Sequence, residues 1–502
     1  MVNEYGKYLI AYDIGTSGTK AVITDLKGNM ISSATERYKL IHIEPLWAEQ
    51  DPDEWWKAVI LTTKKVIETS KISPENILGV SFSAQMLGTL PVNKKGKPLR
   101  PCMTWLDLRS ERQAKWIKEN VGLDVSAKDP IAKILWLKEN KPDTFNQAYK
   151  ILDCKDYIVY KFTENFVTDL TCAQAIAFDV EKREWSKELC SILDIPIDKF
   201  PKVVQSTETV GEITSQAAKE TGLKRGTPVI CGAGDFPCAV VGSGAIKYGR
   251  AHLYVGSSGW VALSVKEKYV DPKGRFFTML GVDPTKWVLG FETENASSCI
   301  EWFKDNFARD LLEEANKSGE DPYTLIDGMA KKVEAGSKNL IFTPWMWGER
   351  APIRDDYARG AFIGLSFTHT KAHLIRAIME GVAYNIRWIL ELIEQLTGLK
   401  INSLRSIGGG MKSKVWAQIF ADITGKNIQV VKWPQHAGAI GAALTAAVGL
   451  NVYKKVEDLD ALLPVMFEVK PREKYYKVYN PIYNNFKEAY SKLSGIYHST
   501  MQ

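Results

Sequence analysis

The sequence predicts an α/β protein of two domains, and three observations carry that reading. The chain has 502 residues, whereas a single hydrophobic core stops growing at roughly 250–300 residues. The last third alternates. Residues 371–396 have helical spacing, "SLRSIGGG" reads as strand and turn, "SKVWAQIFADITG" as helix, "NIQVVKW" as strand and "AGAIGAALTAAVGL" as helix. The third observation is a partial echo. "KYLIAYDIGTSGTKAVITDL" near the start and "RAHLYVGSSGWVALSV" in the middle both read as strand, small hydroxylated turn, strand. The second hairpin begins near residues 246–254, which separates a domain of residues 1–248 from one of residues 249–502.

The elements follow in order. Apolar runs over residues 8–14 and 20–26 flank the first turn, and Lys27, Gly28 and Asn29 turn the chain into a third extended segment. "DPDEWWKAVILTTKKVIETS" has the spacing of an amphipathic helix, with Pro52 and acids at its start. "NILGVSFSAQM" reads as a buried strand ending near Gln85 and Met86, and residues 91–105 as a hairpin. "CGAGDFPCAV" places one carboxylate, Asp235, between a glycine-rich turn and small apolar residues. Asp is a favoured N-cap and Pro237 suits a first helical turn. Asp235 therefore reads either as a helix cap or as a base at the bottom of a cleft.

Composition excludes several classes. A hydrophobic fraction of 45% and a charged fraction of 25% are those of an ordinary globular chain. A net charge of +6 spread over this length is too weak and scattered for nucleic acid, although it favours an anionic ligand. No stretch resembles a spanning helix and "MVNEYGKYLIAYDIG" shows no signal-peptide pattern, so a cytoplasmic protein without a membrane partner is expected. The seven cysteines are scattered, without metal-like pairing, as buried thiols in a reducing compartment would be. His369 and His373 have a spacing that can bind metal, but no third ligand accompanies them and the segment reads as a helix start. The tryptophans at 55, 56, 345 and 347 read as core or interface, and Trp105 reads as core rather than as a stacking face for a ligand.

Three glycine turns carry candidate chemistry. In "DIGTSGT", Gly15 and Gly18 let the backbone approach an anion, while Thr16, Ser17 and Thr19 add hydroxyls. Asp13 at the strand end can hold Mg2+ through water. The same segment also reads as a plain hairpin turn. Residues 256–259 have the same double reading, and "GGGMKS" can seat a ribose or simply join strand to helix. Together they describe a nucleotide held between two lobes.

That arrangement resembles the actin-like ATPase (ribonuclease H-like) superfamily, with two domains and an interdomain cleft. Within it the chain is similar to the FGGY family of carbohydrate kinases, and most closely to the xylulokinases. The resemblance runs from about residue 7 to 450. It rests on "YDIGTSGTKAVI", "LWAEQDPDEWW", "TWLDLR", "GAGDFPCAVVGSGAI", "GERAP", "GAFIGLSFTHTKAHLIRAIMEGVAYNI" and "IGGGMKSKVWAQIFADITGKNI". It implies an ATP- and Mg2+-dependent kinase that phosphorylates a terminal hydroxyl of a ketopentose, D-xylulose first. Another ketose, a polyol of the erythritol or glycerol type, or a sugar acid remain open. A nucleotide-driven clamp and a sugar-sensing regulator are opposed by the lack of a peptide-binding β-domain and of a DNA-binding segment.

The resemblance also implies roles. Asp235 is the catalytic base and a second metal-side acid beside Asp13. Thr16, Ser17, Gly18 and Lys20 form the first phosphate loop, and Gly256 and Ser257 the second, where Ser stands for the more usual Thr. Gly409, Gly410 and Lys414 fall where relatives enclose adenosine, with Ser297 and Glu301 in the neighbouring helix. Gln85, Met86 and Leu87 lie on the sugar side with Asp107, whose carboxylate accepts sugar hydroxyls, and Phe236. Xylulokinases usually carry His at the position of Leu87 and Asn at that of Phe236. Both changes replace polar groups with apolar bulk and point to altered specificity. Relatives of this kind are often homodimers, so self-association is the one macromolecular partnership implied.

Overall fold

Strand β1 (Tyr8–Ile14) is nearly all apolar and buried on both faces, as a strand inside a covered sheet must be. The computed structural model describes residues 6–500, which divide into two compact units. The first holds residues 6–244, Leu280–Lys286 and His436–Leu463. The second holds Ala245–Met279, Trp287–Gln435 and residues 464–500.

In the first unit β2 (Gly18–Asp25) returns antiparallel on β1, with Ile14 opposite Thr19, and β3 (Met30–Arg37) continues the meander. Helix α1 (Pro52–Ser70) begins where Asp51 accepts the Asp53 N–H, and it packs against β2 and β3. Strand β4 (Ile77–Ala84) runs parallel to β1. Helix α2 (Cys154–Thr163) starts in a capping box made by Asp153 and Asp156. With β5 (Thr209–Glu212) and β6 (Pro228–Ile230), the sheet order is β5-β6-β4-β1-β2-β3, and a short strand, Ala233–Gly234, adds to β4. Tyr12, Phe82 and Phe162 pack ring to ring in its core.

Helix α3 (Asp235–Ser243) follows directly, and the late helix Ala437–Gly449 packs against it and against β1 and β4. At their crossing a Cβ on Gly242 would lie 1.8 Å from the Ala437 carbonyl oxygen, and one on Gly441 1.9 Å from that of Cys238. Only glycine fits there, and the small-residue run of the late helix makes backbone contact possible.

The second unit repeats the plan. Strands β7 (Ala251–Val255) and β8 (Gly259–Val265) form a hairpin, flanked by β9 (Phe277–Leu280) and β10 (Trp287–Thr293). Helix α4 (Ser297–Phe307) follows, then α5 (Lys371–Thr397), β11 (Ser403–Ile407), α6 (Lys414–Thr424), β12 (Asn427–Val431) and β13 (Val465–Val469). The order is β9-β10-β8-β7-β11-β12-β13, with β11 parallel to β7 as β4 is to β1. A hairpin with parallel strands added beside its first strand, occurring twice, is the actin-like ATPase arrangement.

Several expectations change. Residues 91–105 form a shorter and less regular hairpin than expected: Val92 bridges Pro98 and Thr89 bridges Met103 around a turn at residues 93–97, while the longer pairings are Leu90–Val92 with Lys150–Leu152 and Cys102–Met103 with Ala48–Gln50. The final helix, Glu473–Thr500, was not foreseen, because charges and Pro481 interrupt its pattern. Of the tryptophans read as core or interface, Trp55, Trp56 and Trp345 are buried, and Trp347, 81% exposed, is excluded from the core alone. His373 completes the capping box of α5 and His369 accepts the Ser366 N–H, so both are used locally. All seven cysteines are buried free thiols. Among the described residues no helix is long and apolar enough to cross a membrane.

Candidate active site

Register brings one set of residues to a single edge of the first sheet. Asp13 pairs with Ser83, Ile14 with Ala84 and Gly234 with Ala84, all in parallel. The loop from Gly15, the loop from Gln85 and Asp235 therefore leave the sheet at the same carboxyl ends, where α/β sheets bind ligands. Asp235 is half-buried and is the first residue of α3. Gly234 occupies the cap position, so the capping reading is corrected. One Asp235 carboxylate oxygen accepts the Phe236 N–H at 2.8 Å. A Cβ on Gly234 would lie 2.2 Å from Met86 Sδ, so the absence of a side chain there lets the two loops touch. Beneath, the Thr171 hydroxyl accepts the Gly234 N–H at 3.0 Å and donates to Asp169. Phe236 is 5% exposed.

Asp13 accepts the Ser83 hydroxyl at 2.8 Å, and Lys20 lies 3.7 Å from its other oxygen. The first glycine loop is closed by the Gly15 N–H on the Gly18 carbonyl, with Ser17 exposed at its tip. Thr16 does not offer a free hydroxyl: its Oγ1 donates to Gln85 Oε1 at 3.2 Å and accepts the Trp105 indole N–H at 2.9 Å. Trp105 is half-buried and not part of the core, which corrects the sequence reading. With Met86, Gly88, Thr104, Asp153 and Cys154 it lines a narrow crevice.

Asp107 is also corrected. It is fully buried, and its two oxygens are taken by the Ala48 N–H and by the backbone and guanidinium of Arg109. No oxygen is left for a sugar hydroxyl. Its role is to hold Arg109 and thereby the "TWLDLR" loop.

Two buried charges that the sequence patterns do not single out hold the loop that starts at Gln85. Lys133, wholly buried, donates to the carbonyls of Leu87 (2.9 Å) and Thr104 (2.6 Å). Burial lowers its amine to a pKa of about 8. Asp153 accepts the next N–H, that of Gly88, at 2.9 Å, and burial together with Asp156 pushes its carboxyl up to about 7. The Leu87–Gly88 peptide is thus gripped at both ends, which keeps Leu87 at φ +66°, a conformation that a leucine seldom adopts. A lone lysine inside the apolar run "IAKILWL" was the available signal.

In the second unit Gly256, Ser257, Ser297 and Gly410 gather. Ser297 Oγ donates to the Gly256 carbonyl at 2.6 Å, and a Cβ on Gly410 would lie 3.1 Å from the Ser297 Oγ. Ser298 donates to the Ser257 carbonyl at 2.8 Å. Glu301 on α4, Gly409 in the 3-10 turn that precedes α6 and Lys414 at the start of α6 are exposed. Glu349, of "GERAP", is 1% exposed and accepts from Thr293, Asn385 and the N–H groups of Glu294 and Arg350. Burial still pushes its carboxyl up to about 8. A carboxyl raised by folding keeps its proton more tightly in the native state, so stability is full below its ordinary value and is lost as pH rises toward about 8. Glu349→Gln is expected to flatten that decline, read as urea unfolding free energy across a pH series.

Two family profiles cover most of the chain. "FGGY family of carbohydrate kinases, N-terminal domain" matches residues 8–242 and the corresponding C-terminal domain matches residues 251–450. A xylulose kinase of Staphylococcus epidermidis is 34% identical over 97% of this chain and 99% of its own. A gluconokinase of Bacillus subtilis is 31% identical over 95% of each chain. The crystal structure of ligand-bound xylulose kinase from Lactobacillus acidophilus matches with a TM-score of 0.85 at 28% identity, covering 98% of this chain and 100% of that one.

Proposed function

The chain belongs to the FGGY family of carbohydrate kinases, and from that premise we propose that it transfers the γ-phosphoryl group of ATP to a terminal hydroxyl of D-xylulose, giving D-xylulose 5-phosphate. The observation that supports this most is the convergence of Asp235, Met86 and the first glycine loop at one sheet edge. The full-length similarity to xylulose kinases supports the choice of sugar.

In this reading Asp235 accepts the proton of the attacking hydroxyl, which it first aligns. Phosphoryl transfer is largely dissociative, so positioning and charge stabilisation supply most of the acceleration. The backbone of Thr16, Ser17 and Gly18, with Lys20, cradles the phosphates from the first unit. In the second unit the nucleotide-side residues are Gly256, Ser257, Ser297, Glu301, Gly409, Gly410 and Lys414. Among the described residues no three His, Cys, Asp or Glu gather as a metal site. Asp13, with Asp235 on the reacting side, suits Mg2+, which binds through one or two carboxylates, waters and phosphate oxygens. That ion would supply charge neutralisation on the transferred group. Gln85, Met86, Leu87 and Phe236 shape the sugar side.

The gluconokinase similarity gives a second reading, a sugar-acid kinase. A panel of ketoses, polyols and sugar acids separates the two, with ADP release and melting temperature as readouts. D-Xylulose is expected to support turnover and to raise the melting temperature, by about 2.7 kcal/mol of stability at a hundredfold excess over Kd. A response confined to gluconate would select the second reading, and one confined to glycerol-type polyols would overturn both.

A further inference from the structure

We infer that Gln50 is a positioning residue that locks the first phosphate loop to the sugar-side loop, so that a seated sugar tightens nucleotide binding. The inference rests on the kinase reading above and adds a residue to it.

Gln50 is fully buried on the short strand Ala48–Gln50. Its Nε2 donates to the Thr16 carbonyl at 2.5 Å, and its Oε1 accepts from Gln85 Nε2 at 2.7 Å and from the Trp55 indole at 3.1 Å. An indole nitrogen only donates, so the Trp55 contact fixes which end of the Gln50 amide is oxygen. The same logic holds at the other side. The Trp105 indole donates to Thr16 Oγ1, whose proton must then go to Gln85 Oε1. The result is a closed ring, Thr16 carbonyl, Gln50, Gln85, Thr16 hydroxyl, with a single sense of donation. Buried rings satisfied at every member are stiff, and a change at one member is felt by the rest.

The ring connects two loops with different tasks. Thr16 lies in the glycine turn assigned to phosphate, while Gln85 immediately precedes Met86 and Trp105 lines the crevice beside it. A sugar pressed against Met86 and the Trp105 ring restrains Gln85 and the indole, and through them the carbonyl and hydroxyl of Thr16. The N–H groups that follow Thr16 are then presented to the phosphates in one orientation.

The test measures ADP affinity by calorimetry with and without the active sugar, in the wild type and in two variants. Gln50→Glu keeps the acceptor for Trp55 and Gln85 but, measured at a pH where it is ionised, cannot donate to Thr16. Gln50→Leu removes every bond. In the wild type, sugar is expected to tighten ADP by at least about fivefold. In both variants the factor is expected to fall to about one, and sugar-independent ATP hydrolysis to rise relative to sugar phosphorylation. An amide that only stabilised the fold would lower the melting temperature and leave the factor unchanged, which overturns the inference. Should both variants fail to fold, Trp105→Phe deletes one N–H at a half-buried ring and must lower the factor in the same way. A wild type that phosphorylates no sugar in the panel defeats the kinase reading and this inference together. A wild type that is active, with coupling intact in the variants, defeats this inference alone.

Discussion

Asp235→Asn is expected to lower sugar phosphorylation by about 10²–10⁴-fold, with nucleotide affinity and melting temperature close to wild type. The substitution is nearly isosteric, and the amide oxygen can still accept the Phe236 N–H that the carboxylate accepts now. Gly234 remains in place against Met86 and on the Thr171 hydroxyl. What is lost is the capacity to take a proton at a position beside the sugar loop. Measured as ADP release with saturating sugar, a rate within a few-fold of wild type would place proton acceptance elsewhere. If sugar-independent ATP turnover persisted undiminished in the variant, the nucleotide half of the assignment would stand by itself.

Lys155→Met is expected to cost roughly 3–5 kcal/mol of stability, the usual result of stripping one partner from a buried charge cluster. Lys155 is fully buried, 3.1 Å from Asp156, 3.3 Å from Asp169 and 3.5 Å from Cys231 Sγ. Removing the ammonium leaves two buried carboxylates without a cation. Asp169 also takes hydrogen bonds from Thr171 and Ser206, and Thr171 supports the Gly234 N–H next to Asp235. Turnover should therefore fall by more than the loss of folded protein explains. Urea unfolding gives the first quantity, and active-site-normalised rates give the second. A loss below about 0.5 kcal/mol, the range of ordinary surface changes, would mean that the carboxylates are satisfied without Lys155.

The strands and long helices could be read from the chain because burial leaves in it either a period or an unbroken apolar run. The two hairpins, α1, α5, α6 and the Ala437–Gly449 helix each carry a clean pattern of apolar residues. The final helix does not, since charged and aromatic residues alternate around Pro481. At the site, residue types were readable but their partners were not. Gln50 meets Thr16 and Gln85 across 34 and 35 positions, and Thr16 meets Gln85 across 69. No local rule links such residues. For the same reason Asp107 looked available to sugar until Arg109 and Ala48 were seen to occupy it, and Trp105 looked like core until its indole was found on Thr16. Lys133 and Asp153 were missed because the significance of each lies in one peptide bond held between them.

The helix Ala437–Gly449 belongs to the unit that starts the chain. During synthesis the first sheet is made before the second unit, yet the helix that covers β1 and β4 and seats α3 is made only after that unit has been extended through Gln435. The nascent amino-terminal half must wait with an apolar face uncovered, exposed to chaperone capture and to misassembly with neighbouring chains. The covering of α3, which begins at Asp235, therefore waits for a helix made long after it.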